Sequence, residues 1–183
     1  IGILYESQSI ELEDSDKKLP LRGYFFDMNS FFETLLGRLL SEYSSRYSIR
    51  NQFRLHDLFL YNPEYNPQKL KSPTPRPDFA IMDEGKVVKL VDAKYKDLWE
   101  QRIPSDMLYQ LAIYATSGTG NKTATIIYPA VNDLPSVQKI DIKNPASNVR
   151  IGQVVLMPIN LIKVAELLYE DEKKLGRYIE SLL

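Results

Sequence analysis

Asp78, Asp92 and Lys94 are the residues of this 183-residue chain whose types and spacing could do chemistry. Asp92-Ala93-Lys94 follows an apolar run containing Val87, Val88, Leu90 and Val91, which reads as a central strand buried on both faces. Charged groups at the end of such a strand are costly to desolvate and need solvent or partners. A hard divalent ion such as Mg²⁺ would supply one, since it takes oxygen ligands from one or two carboxylates and the rest from water and substrate phosphate. Lys94 could then orient or help deprotonate a metal-bound water and stabilise charge on the attacked phosphate. The plainer reading is a strand-end ion pair, with Asp78 merely opening a strand after Pro77. D-x-K recurs by chance, so spacing alone leaves both readings open.

What must position these residues is a β-hairpin. Asp78 to Met82 and Lys86 to Tyr95 are rich in β-branched and apolar residues and flank Asp83-Glu84-Gly85, with Gly where a positive φ is wanted. If those three residues form the loop, Met82 faces Lys86 and Asp78 faces Leu90, which puts Asp78, Leu90, Asp92 and Lys94 on one side. A two-residue loop of Glu84-Gly85 would instead pair Asp78 with Val91 and turn it away from Asp92 and Lys94. The expectation is the three-residue loop.

Arg76-Pro77-Asp78 and, fourteen positions after Asp78, Asp92-Ala93-Lys94 resemble the PD-(D/E)xK signature of the restriction-endonuclease-like nucleases. The wider set is more specific. Asp27-Met28-Asn29, Phe31-Phe32-Glu33, Arg76-Pro77-Asp78, Asp92 to Lys96 and DMLYQLAIYA from Asp106 to Ala115 together resemble the nuclease domain of McrC, the cleavage subunit of McrBC-type modification-dependent restriction systems. The resemblance spans roughly residues 27 to 115. It implies an α/β restriction-endonuclease-like core, a mixed central sheet flanked by helices, and a Mg²⁺-dependent DNA endonuclease with Mn²⁺ able to substitute. It further implies Asp78, Asp92, Glu33 and the backbone carbonyl of Ala93 as metal ligands, Lys94 as the residue that positions the attacking water, and Gln110 beside them on a water or phosphate. It assigns recognition of modified DNA to a separate GTP-driven AAA+ partner of the McrB type.

From Met28 to Tyr43, apolar residues at Phe32, Leu35, Leu36, Leu39, Leu40 and Tyr43 have the spacing of a helix with one buried face. Glu33 near its start has a second reading, because Ser30-Phe31-Phe32-Glu33 fits a capping box. Gln52 to Tyr61 alternates imperfectly and is expected as a strand. It contains the lone His56, which cannot build a triad or a histidine metal site by itself. Asn62 to Pro77 has five prolines in sixteen residues and must be a surface loop; Lys69, Lys71 and Arg76 on it could touch DNA. After a loop holding Trp99, Ser105 or Asp106 is expected to cap a helix to about Thr116, with Leu108, Leu111, Ala112 and Ala115 buried and Asp106, Gln110 and Tyr114 as a polar stripe. Tyr114 could equally be core with a wet hydroxyl. Thr123 to Tyr128, Val137 to Ile142 and Gln153 to Ile159 read as strands. Asn160 introduces one long amphipathic helix to Leu182, its buried side including Leu161, Val164, Ala165, Leu168, Leu175 and Ile179. Ile1 to Tyr5 could be a strand, and Glu11 to Lys18 is a charged turn.

Hydrophobic residues make up 44% of the chain, enough for one α/β domain over residues 1–183, with 1–26 an N-terminal extension. The first residue is Ile1 rather than Met, so a longer polypeptide with this domain at its C-terminal end is expected. The chain has no cysteine, which excludes disulfides, thiolate zinc sites and cysteine-ligated clusters within it. No apolar run nears the ~20 residues that span a bilayer, and no signal peptide is evident, so a cytoplasmic protein without membrane contact is expected. A net charge of −1 is unlike a protein that holds DNA by bulk electrostatics, and no phosphate-loop motif occurs. Both fit a nuclease subunit that leaves DNA selection and translocation to its partner. Two strand cuts need two sites or two visits, which makes a dimer or higher complex plausible. The alternatives are a nuclease fold kept as a non-catalytic binding or scaffold module, and a related nuclease acting on another nucleic acid.

Overall fold

The computed structural model describes residues 4–5, 9–10, 21–22 and 25–183. Two short ribbons come first: β1 (Leu4–Tyr5) pairs with β4 (Phe25–Phe26), and β2 (Ser9–Ile10) with β3 (Leu21–Arg22), both antiparallel. The charged turn expected from Glu11 to Lys18 lies outside the described residues, as does Ile1 to Ile3 of the expected first strand. Helix α1 (Met28–Tyr43) follows, as its apolar spacing predicts, and buries Phe32, Leu36, Leu39 and Leu40. Its cap differs from the expected one. Asp27 is the N-cap and accepts from the amides of Asn29 and Ser30, so Ser30 lies inside the first turn and Glu33 is too far along to return to the cap.

A six-stranded mixed sheet carries the rest, in the order β5-β6-β7-β8-β10-β9. Its strands are β5 (Ser48–Asn51), β6 (Phe79–Asp83), β7 (Lys86–Ala93), β8 (Thr123–Ala130), β9 (Gln138–Lys143) and β10 (Arg150–Asn160). Helix α2 (Ser105–Thr116) crosses over between β7 and β8, which pair in parallel. One face of the sheet packs α1 through Phe79, Ile81, Val91 and Ile127. The other packs α2 through Ala80, Leu90, Ile126 and Leu156.

Four expectations about elements are corrected. The strand expected over Gln52 to Tyr61 is earlier, at Ser48–Asn51, because Gln52 takes a positive φ of 52° and ends it; residues after it run as turns and bends. The loop from Asn62 to Pro77 holds a single turn of 3₁₀ helix at Pro63–Tyr65. The cap of α2 is Pro104, with no side-chain capping bond, rather than Ser105 or Asp106. The C-terminal helix is two, α3 (Leu161–Glu170) and α4 (Glu172–Glu180), because Asp171 leaves the helical conformation and caps α4 through the amide of Lys174. Val164, Leu175 and Ile179 are buried as expected, whereas Ala165 and Leu168 are exposed.

Candidate active site

The hairpin brings Asp78 and Asp92 together, though by another route than the expected three-residue loop. Asp83 pairs with Lys86, so the turn is the two residues Glu84 and Gly85. Their φ values of 48° and 81° give the tight turn whose twist matches the flanking strands. That turn alone would send Asp78 and Asp92 to opposite faces. A bulge reverses the outcome, since Met82 faces Val87 while Ile81 faces Lys89, and Val88 is the extra residue. Beyond the bulge Phe79 faces Val91, and the same register carried one step further sets Asp78 against Asp92. The carbonyl of Val88 accepts from the amide of Asn121, and the neighbouring Gly120, at φ 77°, leaves room for that approach: a Cβ there would sit 3.1 Å from the same carbonyl oxygen.

The two carboxylates are tied crosswise into the strand ends. Asp78 Oδ2 accepts from the amide of Ala93 at 2.9 Å, and Asp92 Oδ1 from the amide of Asp78 at 3.1 Å. Each aspartate keeps one oxygen outside these bonds. Within an extended strand the N–H and C=O of one residue point to the same edge. The carbonyl of Ala93 therefore projects to the edge that faces Asp78. Strand β7 ends at Ala93, and the amide of the next residue, Lys94, bonds the carbonyl of Ile127 on β8 at 3.0 Å.

Burial pushes Asp78 up to about 6, and the charge of Glu33 adds to it, while the Ala93 amide and the charges of Lys94 and Arg76 pull the other way. Burial also pushes Asp92 up to about 7, with the Asp78 charge next in size. Lys94 pulls Asp92 down and Glu33 raises it; Asp27 at the α1 cap is lowered chiefly by its hydrogen bonds from Ser30, with the Lys94 charge a minor addition. Burial chiefly, and then the charge of Glu33 on Asp78 and of Asp78 on Asp92, raises two half-buried carboxylates into an acidic site.

Glu33 reaches this neighbourhood through a residue the sequence reading passed over. The side-chain amide of Gln52 donates to Glu33, and the backbone amide of Gln52 donates to the carbonyl of Asp78 at 2.6 Å. Gln52 thus links α1 to the start of β6. Asn51, just before it, is the one residue there of a type that marks turns, and nothing in Gln52 itself flags the role. Gln110 is exposed on α2 and donates to the Tyr114 hydroxyl at 2.7 Å. Tyr114 itself is 1% exposed, so it is core with a bonded hydroxyl, the second of its two readings. Burial pushes its hydroxyl up to about 12, and the charges of Asp92 and Asp78 contribute, so Gln110 stands one hydrogen bond removed from a group that senses the carboxylates. His56, Lys69 and Lys71 lie on the exposed stretch between β5 and β6.

Among the described residues no group of three or more His, Cys, Asp or Glu side chains is disposed to cage a metal ion. The donor set suits a hard divalent ion held by Asp78, Asp92 and the Ala93 carbonyl, with water and phosphate completing the shell. Glu33, engaged with Gln52, borders this set and is not grouped with it. A cleft of about 400 Å³, lined in part by Tyr95, Lys96, Trp99 and Tyr128, opens next to Lys94; neither Asp78 nor Asp92 lines it.

The parallel β7-α2-β8 crossover behind an antiparallel β6-β7 hairpin, with acidic residues at the open end of the hairpin, defines a restriction-endonuclease-like fold. The family described as McrBC 5-methylcytosine restriction system component matches residues 2–129, and the chain belongs to that family. A solved structure described as a refined half-complex from the tetradecameric assembly of Thermococcus gammatolerans McrB AAA+ hexamers with bound McrC is similar in fold, with a TM-score of 0.56 and 20% identity. The match covers 88% of this chain and 35% of that one, so the chain spans about a third of the length of its structural relative. No curated protein matches the chain. Among the described residues no helix is long and apolar enough to cross a membrane.

Proposed function

We propose that the chain is the phosphodiester-cleaving part of a McrBC-type restriction system, a Mg²⁺-dependent endodeoxyribonuclease that works with an AAA+ GTPase partner. The observation that carries this reading is the crosswise pair Asp78 and Asp92, two raised carboxylates set against each other at the end of a buried hairpin beside Lys94. The free oxygens of Asp78 and Asp92 and the carbonyl of Ala93 would hold the ion. When bound, Mg²⁺ lowers the pKa of its water and offsets the charge that builds on the phosphate.

The chain's own groups do the remainder. The backbone bonds between Asp78 and the Asp92-Ala93 segment fix both carboxylates before substrate arrives, so little reorganisation accompanies reaction. Lys94, anchored by its amide to β8, orients the attacking water and stabilises charge on the phosphate. Glu33, held by Gln52, borders this arrangement and can accept a hydrogen bond from a water. Membership of the McrBC family, the absence of a phosphate-loop motif and the net charge of −1 support a division of labour in which a partner of the kind named in the relative's structure selects and moves the DNA. A cytoplasmic location accords with that role.

Calorimetric titration of Mg²⁺ or Mn²⁺ into the chain, compared with Asp78→Ala and Asp92→Ala, tests the reading at its base. Binding should be measurable in the parent at millimolar metal and lost in both variants. Parental binding in either variant would sink the assignment.

A further inference from the structure

We propose that the cleft beside Lys94 is a subsite for one unstacked nucleobase of a nucleic-acid strand, neighbouring the nucleotide whose phosphate lies at Asp92 and Lys94. The proposal rests on the nuclease reading above and adds to it the form in which the strand is held. The cleft begins one residue past Lys94, at Tyr95, and its volume of about 400 Å³ lies in the range of small-ligand pockets. On β8, Ile126 faces Asp92 and Tyr128 follows two residues later on the same side of the sheet, which carries Tyr128 toward Lys94. A strand laid across the carboxylates therefore passes the mouth of the cleft with its next nucleotide.

The lining suits a base rather than a phosphate. Trp99 and Tyr95 are 38% and 41% exposed, large apolar faces on which any base can stack. Tyr128 is fully buried, its hydroxyl closed to solvent, so the surface open to a ligand comes from the residues after Lys94. Asp97 spends Oδ1 on the amides of Trp99 and Glu100, leaving Oδ2 to accept from an exocyclic amine. Asp97 and Glu100 outnumber Lys96 among the charged side chains that line the cleft, so a phosphate placed in it would be repelled. Exposed aromatic faces beside a carboxylate acceptor suit the faces and the edge of a base.

Trp99 is the one tryptophan of the 183 residues, so its emission reports this cleft alone. The chain is titrated in metal-free buffer with a short dye-labelled single strand of mixed sequence. Binding is read from the dye's anisotropy, occupancy of the cleft from Trp99 quenching, and cleavage from a parallel assay with Mg²⁺ and the partner. Saturable quenching that tracks anisotropy is expected. Trp99→Ala should weaken the strand about tenfold, and Trp99→Phe should restore most of that. Strand binding with unchanged Trp99 emission, or parental affinity in Trp99→Ala, overturns the subsite and leaves cleavage untouched. Quenching by free deoxyadenosine monophosphate as strong as by the strand overturns the strand as the source of the base. Quenching without cleavage keeps the nucleobase site and sinks the nuclease reading instead.

Discussion

Glu33 shows how one residue can carry two readings until its neighbours are known. A capping role would have made it structural, but Asp27 occupies the cap and the Glu33 carboxylate takes the side-chain amide of Gln52 instead. On the proposed reading Gln52 is a positioning residue, and its two bonds separate cleanly under mutation. Gln52→Ala removes only the side-chain bond, because the backbone amide still reaches Asp78. We expect Gln52→Ala and Glu33→Gln each to lower the cleavage rate by roughly tenfold, in the range for outer partners that orient a metal site. Melting temperatures should move by no more than a few degrees, since neither side chain caps the helix. Parental cleavage rates in both variants would remove Glu33 from the site. As candidates, Asp78, Asp92 and Lys94 are legible in the sequence from their types and spacing, and Glu33 from the resemblance that those motifs carry. Gln52 was not, because it acts through a backbone conformation, φ 52°, that its residue type does not announce.

At the scale of elements, the hairpin's outcome depends on a turn and a bulge whose effects on register are opposite in sense. The apolar runs made both strands readable, and Gly85 marked the turn. The bulge at Val88 carries no such mark, since Val87-Val88 reads like any strand interior. For the same reason the break at Asp171 hides in the charged run Glu170-Asp171-Glu172, which has the composition of an exposed helix turn. What holds the bulge is the loop after α2, through Asn121 and Gly120 against the carbonyl of Val88. Gly118 and Gly120 share a φ of 77°, but a Cβ at Gly118 meets nothing within 4 Å. Alanine at either position strains the backbone by about 1 kcal/mol or more. Only Gly120→Ala also pushes on the bulge. We expect both variants to lose a few degrees of melting temperature, at about 2–4 °C per kcal/mol for a chain of this size. Gly120→Ala should lose more, and it alone should lower cleavage. Equal losses in the two variants would mean that the loop does not hold the register of Asp78 and Asp92.

For the molecule as a whole, the raised carboxylates set a stability that depends on pH, and the proposed ion would make it depend on metal as well. Asp78 and Asp92 ionise near 6 and 7 in the folded chain, against the ordinary aspartate value of 3.8 that applies once the chain unfolds. Between those limits the folded state binds more protons than the unfolded one. The stability these groups contribute is therefore fully present below about pH 4 and is lost as pH rises through 6 and 7. Other carboxylates act in the opposite sense, among them Asp171 and Glu180, whose hydrogen bonds hold them below their ordinary values, so the raised pair is best isolated by difference. Asp92→Asn resembles the protonated state and removes one ionisation. In metal-free buffer it should melt higher than the parent at pH 8 and lose that advantage by pH 4. Mg²⁺ should raise the melting temperature of the parent at pH 8, where both carboxylates are charged, and have little effect at pH 5, where protons compete for the same oxygens. Asp92→Asn should show no such metal effect at either pH. Thermal melts of both proteins at the two pH values, with and without Mg²⁺, decide the matter. A parent that is stabilised by Mg²⁺ as much at pH 5 as at pH 8 would place the ion somewhere other than on Asp78 and Asp92.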